Sequence, residues 1–183
     1  MRKATFGGGC FWCLEETFYN LKGIIKVTPG YSGGDKENPT YEEVCNQTTG
    51  HVEAVQIIYN PEKISYKELL INFWCSIDPT DKKGQFIDRG KHYKTVIFFH
   101  NEEQKLMAEK SKIILGKSTL FSEPIATEIK PFKNFYNAKD FHKNYFQKEP
   151  ILYENYKTFS GRESYCKIVW DRKGGRDILE KKL

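Results

Sequence analysis

The stretch Ala4-Thr5-Phe6-Gly7-Gly8-Gly9-Cys10-Phe11-Trp12-Cys13-Leu14 decides how the chain is read. Ala4 to Phe6 suits a short strand. The three glycines that follow permit backbone angles closed to other residues, so the chain turns sharply there. Phe11, Leu14, Phe18 and Leu21 then recur at helical spacing, with Glu15 and Glu16 near the start and Gly23 just past the end, which is the pattern of a helix between its capping signals. Strand, glycine turn and helix in that order put Cys10 at a helix N-terminus. Unpaired N–H groups and the positive end of the helix dipole favour a thiolate over a thiol at such a place, and the thiolate is the reactive form.

Working outward, Ile24 to Thr28 reads as a second strand ended by Pro29-Gly30, and a polar segment from Tyr31 to Gly50 reads as a long loop with turn signals at Gly33-Gly34 and Asn38-Pro39. Loops beyond about 12–15 residues inside a compact domain are usually functional or disordered, so this one is a candidate part of a site. Between His51 and Tyr59 the residues Val55, Ile57 and Tyr59 share one face of a strand, and Glu53 lies on that same parity. Ser65 and Glu68 form a capping box ahead of Leu69, Leu70, Phe73, Trp74 and Ile77, which predicts a second amphipathic helix.

A strand over 93–99, a helix from Asn101 to Gly116, a strand carrying Ile125, Thr127 and Ile129, and a short helix over 138–147 follow. The order β-α-β-β-α-β predicts an α+β fold, a ferredoxin-like split β-α-β sandwich whose mixed sheet carries helices on its faces. Residues 151–183 show no strong periodicity and read as an irregular tail wrapping the domain. The chain is thus expected to be one domain over 1–183, with its core over about 3–150.

Composition narrows the function classes. The 183 residues, 39% hydrophobic and 15% aromatic, can bury one sizeable core. The opening residues carry two charges before the glycines, and no run approaches the ~18 apolar residues of a membrane span. A cytoplasmic protein with no membrane partner is expected. Five cysteines, an odd number without repeated spacing, argue against a secreted disulfide framework and a four-cysteine zinc site. The net charge of +5 is a modest excess that suits a solvated surface. A basic module for RNA or an acidic protein is the non-enzymatic reading, but no RNP-like or helix-turn-helix motif accompanies the charge, so no nucleic acid partner is expected. The glycine run lacks the Lys-Ser or Lys-Thr pair of a phosphate loop.

Cys10-Phe11-Trp12-Cys13 is a C-x-x-C pair that could close a disulfide. By spacing alone it also fits half a zinc site, two inert core cysteines, or a thioredoxin-like thiol-disulfide oxidoreductase. Phe11 and Trp12 by themselves fit ordinary core packing of a first helix.

The stretch Gly7-Gly8-Gly9-Cys10-Phe11-Trp12-Cys13 resembles the signature of the type A peptide methionine sulfoxide reductases, in its G-C-F-W-C variant. Similar motifs follow in the family's order: Gly30-Tyr31-Ser32-Gly33-Gly34, Pro39 to Cys45, Thr49 to Val55, Asp78-Pro79-Thr80, Asp88-Arg89-Gly90 with Tyr93, and Ala138 to His142. The resemblance implies reduction of methionine-S-sulfoxide, free or in proteins, and hence repair of oxidative damage. Cys10 would attack the sulfoxide sulfur, and Glu53 would be the acid that protonates its oxygen. A buried strand position would raise the Glu53 pKa toward the working pH. Tyr41 and Tyr93 match the family's phenol donors, Phe11 and Trp12 the aromatic wall around the methyl group, and Asp88 a residue that orients substrate.

After attack Cys10 would be left as a sulfenic acid, resolved through an intramolecular disulfide that thioredoxin or a similar dithiol reduces. No metal or organic cofactor is required, and a monomer is expected. Many members of the family carry glycine where this chain has Cys13, and place the resolving cysteine in a glycine-rich tail. Cys13 is favoured here because sequence proximity keeps its effective concentration high. Cys166, followed by Gly174-Gly175, is the alternative resolving residue. His92, Lys94 and Phe141 depart from the family pattern. Cys45 and Cys75 read as inert thiols, and His51 and His142 as structural residues.

Overall fold

Strand β1 (Arg2–Gly8) and helix α1 (Phe11–Tyr19) open the fold of the computed structural model, which describes residues 1–183. The chain continues through β2 (Ile24–Ser32), α2 (Tyr41–Cys45), β3 (Val52–Tyr59), α3 (Tyr66–Trp74), a small ribbon of β4 (Gly84–Gln85) and β5 (Asp88–Arg89), β6 (Thr95–Phe99), α4 (Glu102–Gly116), β7 (Glu128–Pro131) and β8 (Phe135–Asn137). Helices α5 (Tyr145–Lys148), α6 (Pro150–Phe159), α7 (Arg162–Cys166) and α8 (Gly175–Lys182) complete it. Six strands form one mixed sheet in the order β7-β6-β1-β3-β2-β8, antiparallel except for the β6–β7 pair. The fold is therefore α+β with a mixed sheet and helices.

β1 lies inside the sheet, so Ala4 to Gly8 are buried on both faces. Its Phe6 stacks on Phe18 of α1 and Phe73 of α3, with ring centroids 5.6 and 4.8 Å away. This cluster joins both helices to the sheet. α3 starts where the capping box predicted, with Ser65 accepting from the Glu68 N–H and Glu68 accepting from Ser65. Trp74 of α3 donates its indole N–H to Ser111 of α4 at 2.9 Å, which satisfies a polar group that burial would otherwise orphan.

Four segments differ from the sequence reading. β2 runs through Pro29-Gly30 to Ser32 instead of ending there. The residues up to Pro29 lie beyond the pairing with β8, where a missing N–H is tolerated, and β8 approaches so closely that a Cβ at Gly30 would collide with the Tyr136 carbonyl. The 31–50 loop is partly ordered by α2, whose own capping box joins Thr40 and Glu43. It is also pinned by His51, which accepts from the Gly34 N–H and contacts the Lys36 carbonyl through its other ring nitrogen. The strand expected at 125–129 begins only at Glu128, because the N–H groups of Ala126 and Thr127 both turn to the Pro79 carbonyl. The helix expected over 138–147 is a short 3₁₀ turn and then α5, separated by Asn144 in the left-handed region (φ 54°).

The largest correction is the tail. Residues 150–182 are not irregular: α6, α7, a π-helical turn over Lys167–Arg172 and α8 succeed one another. Gly161 (φ 81°) and Gly174 (φ 73°) reset the helical phase between pieces, so no single period runs through the segment. The tail does wrap the domain. Trp170 donates to the Ile77 carbonyl at 3.1 Å, and Leu179 is fully buried.

Phe73→Ala is expected to lower stability by about 3–5 kcal/mol, since it empties the cluster that joins α1, α3 and β1. Urea denaturation checks this, and a loss below about 1 kcal/mol would mean the cluster does not organise the core.

Candidate active site

Gly9 makes the turn into α1 with φ 80°, and a Cβ there would strike Gln85 and Arg162. Cys10 follows as the N-cap residue, buried and without a side-chain cap, so the first-turn N–H groups of α1 are free for other partners. One is taken from across the sheet. The Phe11 N–H donates to Glu53 Oε2 at 3.0 Å, which brings this carboxyl group from β3 to the helix end that carries Cys10. Glu53 is 2% exposed. Burial pushes its pKa up to about 8, the Phe11 N–H works against that rise, and Asp88 and Cys13 reinforce it. The group is a protonated acid at neutral pH.

Cys10 and Cys13 lie side by side as free, buried thiols. Burial, followed by the Cys13 sulfur and the negative charges of Glu53 and Asp88, pushes the Cys10 thiol well above its usual value. Cys13 is drawn down to about 6, first by its hydrogen bond with Cys10, with burial opposing and Arg162 and Tyr153 assisting. The sequence reading put the thiolate on Cys10. Burial and two acidic neighbours oppose the helix dipole at residue 10, so the two hydrogen-bonded sulfurs ionise as one coupled pair.

The other expected residues meet here too. Tyr41, at the start of α2, and Tyr93, after β5, are held protonated by burial first, then at Tyr41 by a hydrogen bond with Cys45, and at both by the charges of Glu53 and Cys10. Trp12 and Tyr93 pack on the small cluster made by Cys10, Cys13 and Tyr153. Phe11 stands between the core and the site. It belongs to the main core at 1% exposure, and it lies beside Tyr31 and His142. Asp88 accepts from the Tyr156 hydroxyl at 2.5 Å, and burial raises its pKa. Cys166 stands behind Cys13 on a cavity of about 320 Å³ that Cys75 and Arg162 also line, with burial pushing its thiol to about 11. Of the departures from the family pattern, Phe141 is exposed, Lys94 pairs with Glu128 at 3.5 Å, and His92 packs on Tyr93 at 4.0 Å.

Sequence reasoning missed the share of the tail in this site. Tyr145 stacks on Trp12 with centroids 3.9 Å apart, Tyr156 meets its edge at 6.1 Å, and Tyr153 closes over Cys13. Glu15 and Glu16 of α1 tether these pieces. Glu15 accepts from the Asn144 N–H, while Glu16 accepts from the Tyr153 hydroxyl at 2.9 Å and pairs with Lys157. The Tyr153 and Tyr156 spacing behind Pro150 was the available signal, one aromatic helix face. His142 was read as structural, and it sits with both ring nitrogens buried and unpartnered among Phe11, Trp12 and Tyr41. No helix is long and apolar enough to cross a membrane.

The family model described as "Peptide methionine sulfoxide reductase" matches residues 2–174. The peptide methionine sulfoxide reductase MsrA of Bacillus licheniformis is 52% identical over 170 residues, covering 93% of this chain and 94% of that protein. Among solved structures, Mxr1 from Saccharomyces cerevisiae in reduced form superposes with a TM-score of 0.73 at 33% identity, over 82% of this chain and 86% of Mxr1. Mxr1 has also been solved in complex with Trx2, with a TM-score of 0.51 at 27% identity, over 79% of this chain and 84% of Mxr1. The chain belongs to the peptide methionine sulfoxide reductase family.

Glu53 binds its proton more tightly folded than unfolded. Its contribution to stability is full below about pH 4.5 and lost as pH rises through about 8. Glu53→Gln keeps an acceptor for the Phe11 N–H and cannot ionise, so its stability relative to the parent chain is expected to rise across that window. Thermal unfolding of both proteins at several pH values checks this, and parallel curves would contradict it.

Proposed function

We propose that the chain reduces methionine-S-sulfoxide, free or in proteins, to methionine, and so repairs oxidative damage. The observation that carries this reading is the buried Glu53 carboxyl group held by the Phe11 N–H at the helix end that carries Cys10. A sulfoxide is a poor electrophile until its oxygen is protonated or hydrogen-bonded, and a buried acid with a pKa of about 8 keeps a proton to give at neutral pH. Tyr41 and Tyr93 donate to the same oxygen, Phe11 and Trp12 receive the methyl group, and Asp88 orients the substrate.

Cys10 attacks the sulfoxide sulfur as its proton passes to the Cys13 sulfur beside it, an uphill transfer drawn forward by the bond being made. Glu53 protonates the oxygen, which then moves to the Cys10 sulfur as its bond to the methionine sulfur breaks. Methionine leaves, and Cys10 is left as a sulfenic acid, two electrons more oxidised than the thiol. Cys13 loses that proton to solvent and attacks the Cys10 sulfur, the S–O bond breaks, and the hydroxyl takes a proton from solvent and departs as water as the disulfide forms. An external dithiol reduces that disulfide and returns both thiols. Thioredoxin is that dithiol in this reading, supported by the complex of the related Mxr1 with Trx2. The chain works as a single domain and a monomer in the cytoplasm. The inner strand order β6-β1-β3-β2, with β3 between β1 and β2, supports reading its fold as a ferredoxin-like split β-α-β sandwich. The family match leaves the thioredoxin-like alternative without support.

Turnover with separated S and R epimers is expected to consume the S form only, and Cys10→Ser is expected to abolish it. Activity surviving Cys10→Ser would overturn the reading. After one turnover without reductant, mass mapping is expected to find a 10–13 disulfide, and a 10–166 disulfide would transfer the resolving role to Cys166.

A further inference from the structure

Arg162, the first residue of α7, is 4% exposed and lies under the turn that carries Cys10. One terminal nitrogen donates to the Ser76 carbonyl at 2.5 Å and the other to the Gly8 carbonyl at 3.2 Å, while Phe86 stacks beneath the guanidinium at 4.7 Å. Its Nε is buried with no partner, and it forms no ion pair with any carboxylate. Neutral carbonyls satisfy hydrogens but supply no opposite charge. A guanidinium cannot shed its proton, and a buried cation without a counter-anion is strongly destabilising. The cavity Arg162 lines also holds Glu16, Glu163 and Asp171, but Glu16 pairs with Lys157 and none of the three pairs with Arg162, which leaves thiols, Cys13 and Cys166 among them, as the remaining anion sources there.

We propose that Arg162 is a positioning residue for the second half of the reaction, a fixed cation whose counter-anion is the Cys13 thiolate and which keeps that sulfur ready to attack the Cys10 sulfenic acid. The inference rests on Cys13 being the resolving residue. Four other groups face Cys13. Cys10 shares a hydrogen bond with it, Asp88 opposes its ionisation, Tyr153 assists it while its hydroxyl donates to Glu16, and Cys166 keeps its own proton to about pH 11. Arg162 is the cation that joins these four at Cys13. Burial works against its charge, and Cys13 is the first of the anions that offset this. In the step served, the Cys13 thiolate forms the S–S bond and the sulfenic S–O bond breaks. The oxygen keeps its hydrogen, takes one proton from solvent and leaves as water.

The test is thiolate absorbance against pH in Cys10→Ser, alone and with Arg162→Met or Arg162→Lys. Burial raises Cys45, and it holds Cys75 and Cys166 to about 12 and 11, so the lowest thiolate midpoint in the Cys10→Ser background reports Cys13. With Arg162→Met the Cys13 midpoint is expected to rise by about one unit or more, and Arg162→Lys, which keeps the charge and most of the packing, is expected to restore part of the shift. In otherwise wild-type protein near pH 7, Arg162→Met is expected to slow disulfide formation by about tenfold relative to methionine release in a single turnover. An unmoved midpoint, or equal slowing of both steps, overturns the positioning role. If Arg162→Met does not fold, Arg162→Lys with the wild-type Cys13 midpoint and step ratio supports the role, and a Lys variant that has lost both overturns it. A 10–166 disulfide in wild type overturns the resolving assignment and the positioning role with it, whereas a 10–13 disulfide with an unmoved midpoint overturns the positioning role alone.

Discussion

The hydrogen bond from the Phe11 N–H to Glu53 is the contact on which the site depends. It uses a donor that any helix leaves free in its first turn, and it draws a carboxyl group from the middle of the sheet to a place where water cannot reach it. Two consequences follow from that placement. The acid keeps its proton at neutral pH, and the thiol beside it gives up its own less readily than a cysteine at an open helix end would.

Such a site stores unfavourable electrostatics, and the rest of the fold holds it in place. The Phe6, Phe18 and Phe73 stack fixes α1 against the sheet, so neither the cysteine turn nor Glu53 can relax away from the other. The tail closes the opposite side. α6 brings Tyr153 and Tyr156 over the two thiols, and α7 brings a cation beneath them. The charge balance of the pair is therefore set by residues more than a hundred positions apart in sequence.

Much of this was legible in the chain itself. The strand, glycine turn and helix around Cys10, the capping box at Ser65 and Glu68, and the inward parity of Glu53 all express local rules that the fold obeys. What escaped reading depends on distant partners. Pro29-Gly30 looks like a strand terminator until β8 is seen to need a residue without a side chain beside it. Residues 150–182 look irregular because Gly161 and Gly174 divide them into short helices out of phase with one another. Arg162 gave no local signal at all, since its place is set by the distant carbonyls of Gly8 and Ser76. The coupling of the two thiols was not legible for a related reason, because a helix-end argument counts the dipole and cannot count burial.

The most direct test of the account is a titration of the Glu53 carboxyl group itself, by infrared difference spectroscopy of the wild type against Glu53→Gln. The account predicts a carboxylic acid band that persists through neutral pH and disappears near pH 8. Disappearance near pH 4.5, the value of an ordinary glutamate, would show an ionised carboxylate beside Cys10 and would contradict it.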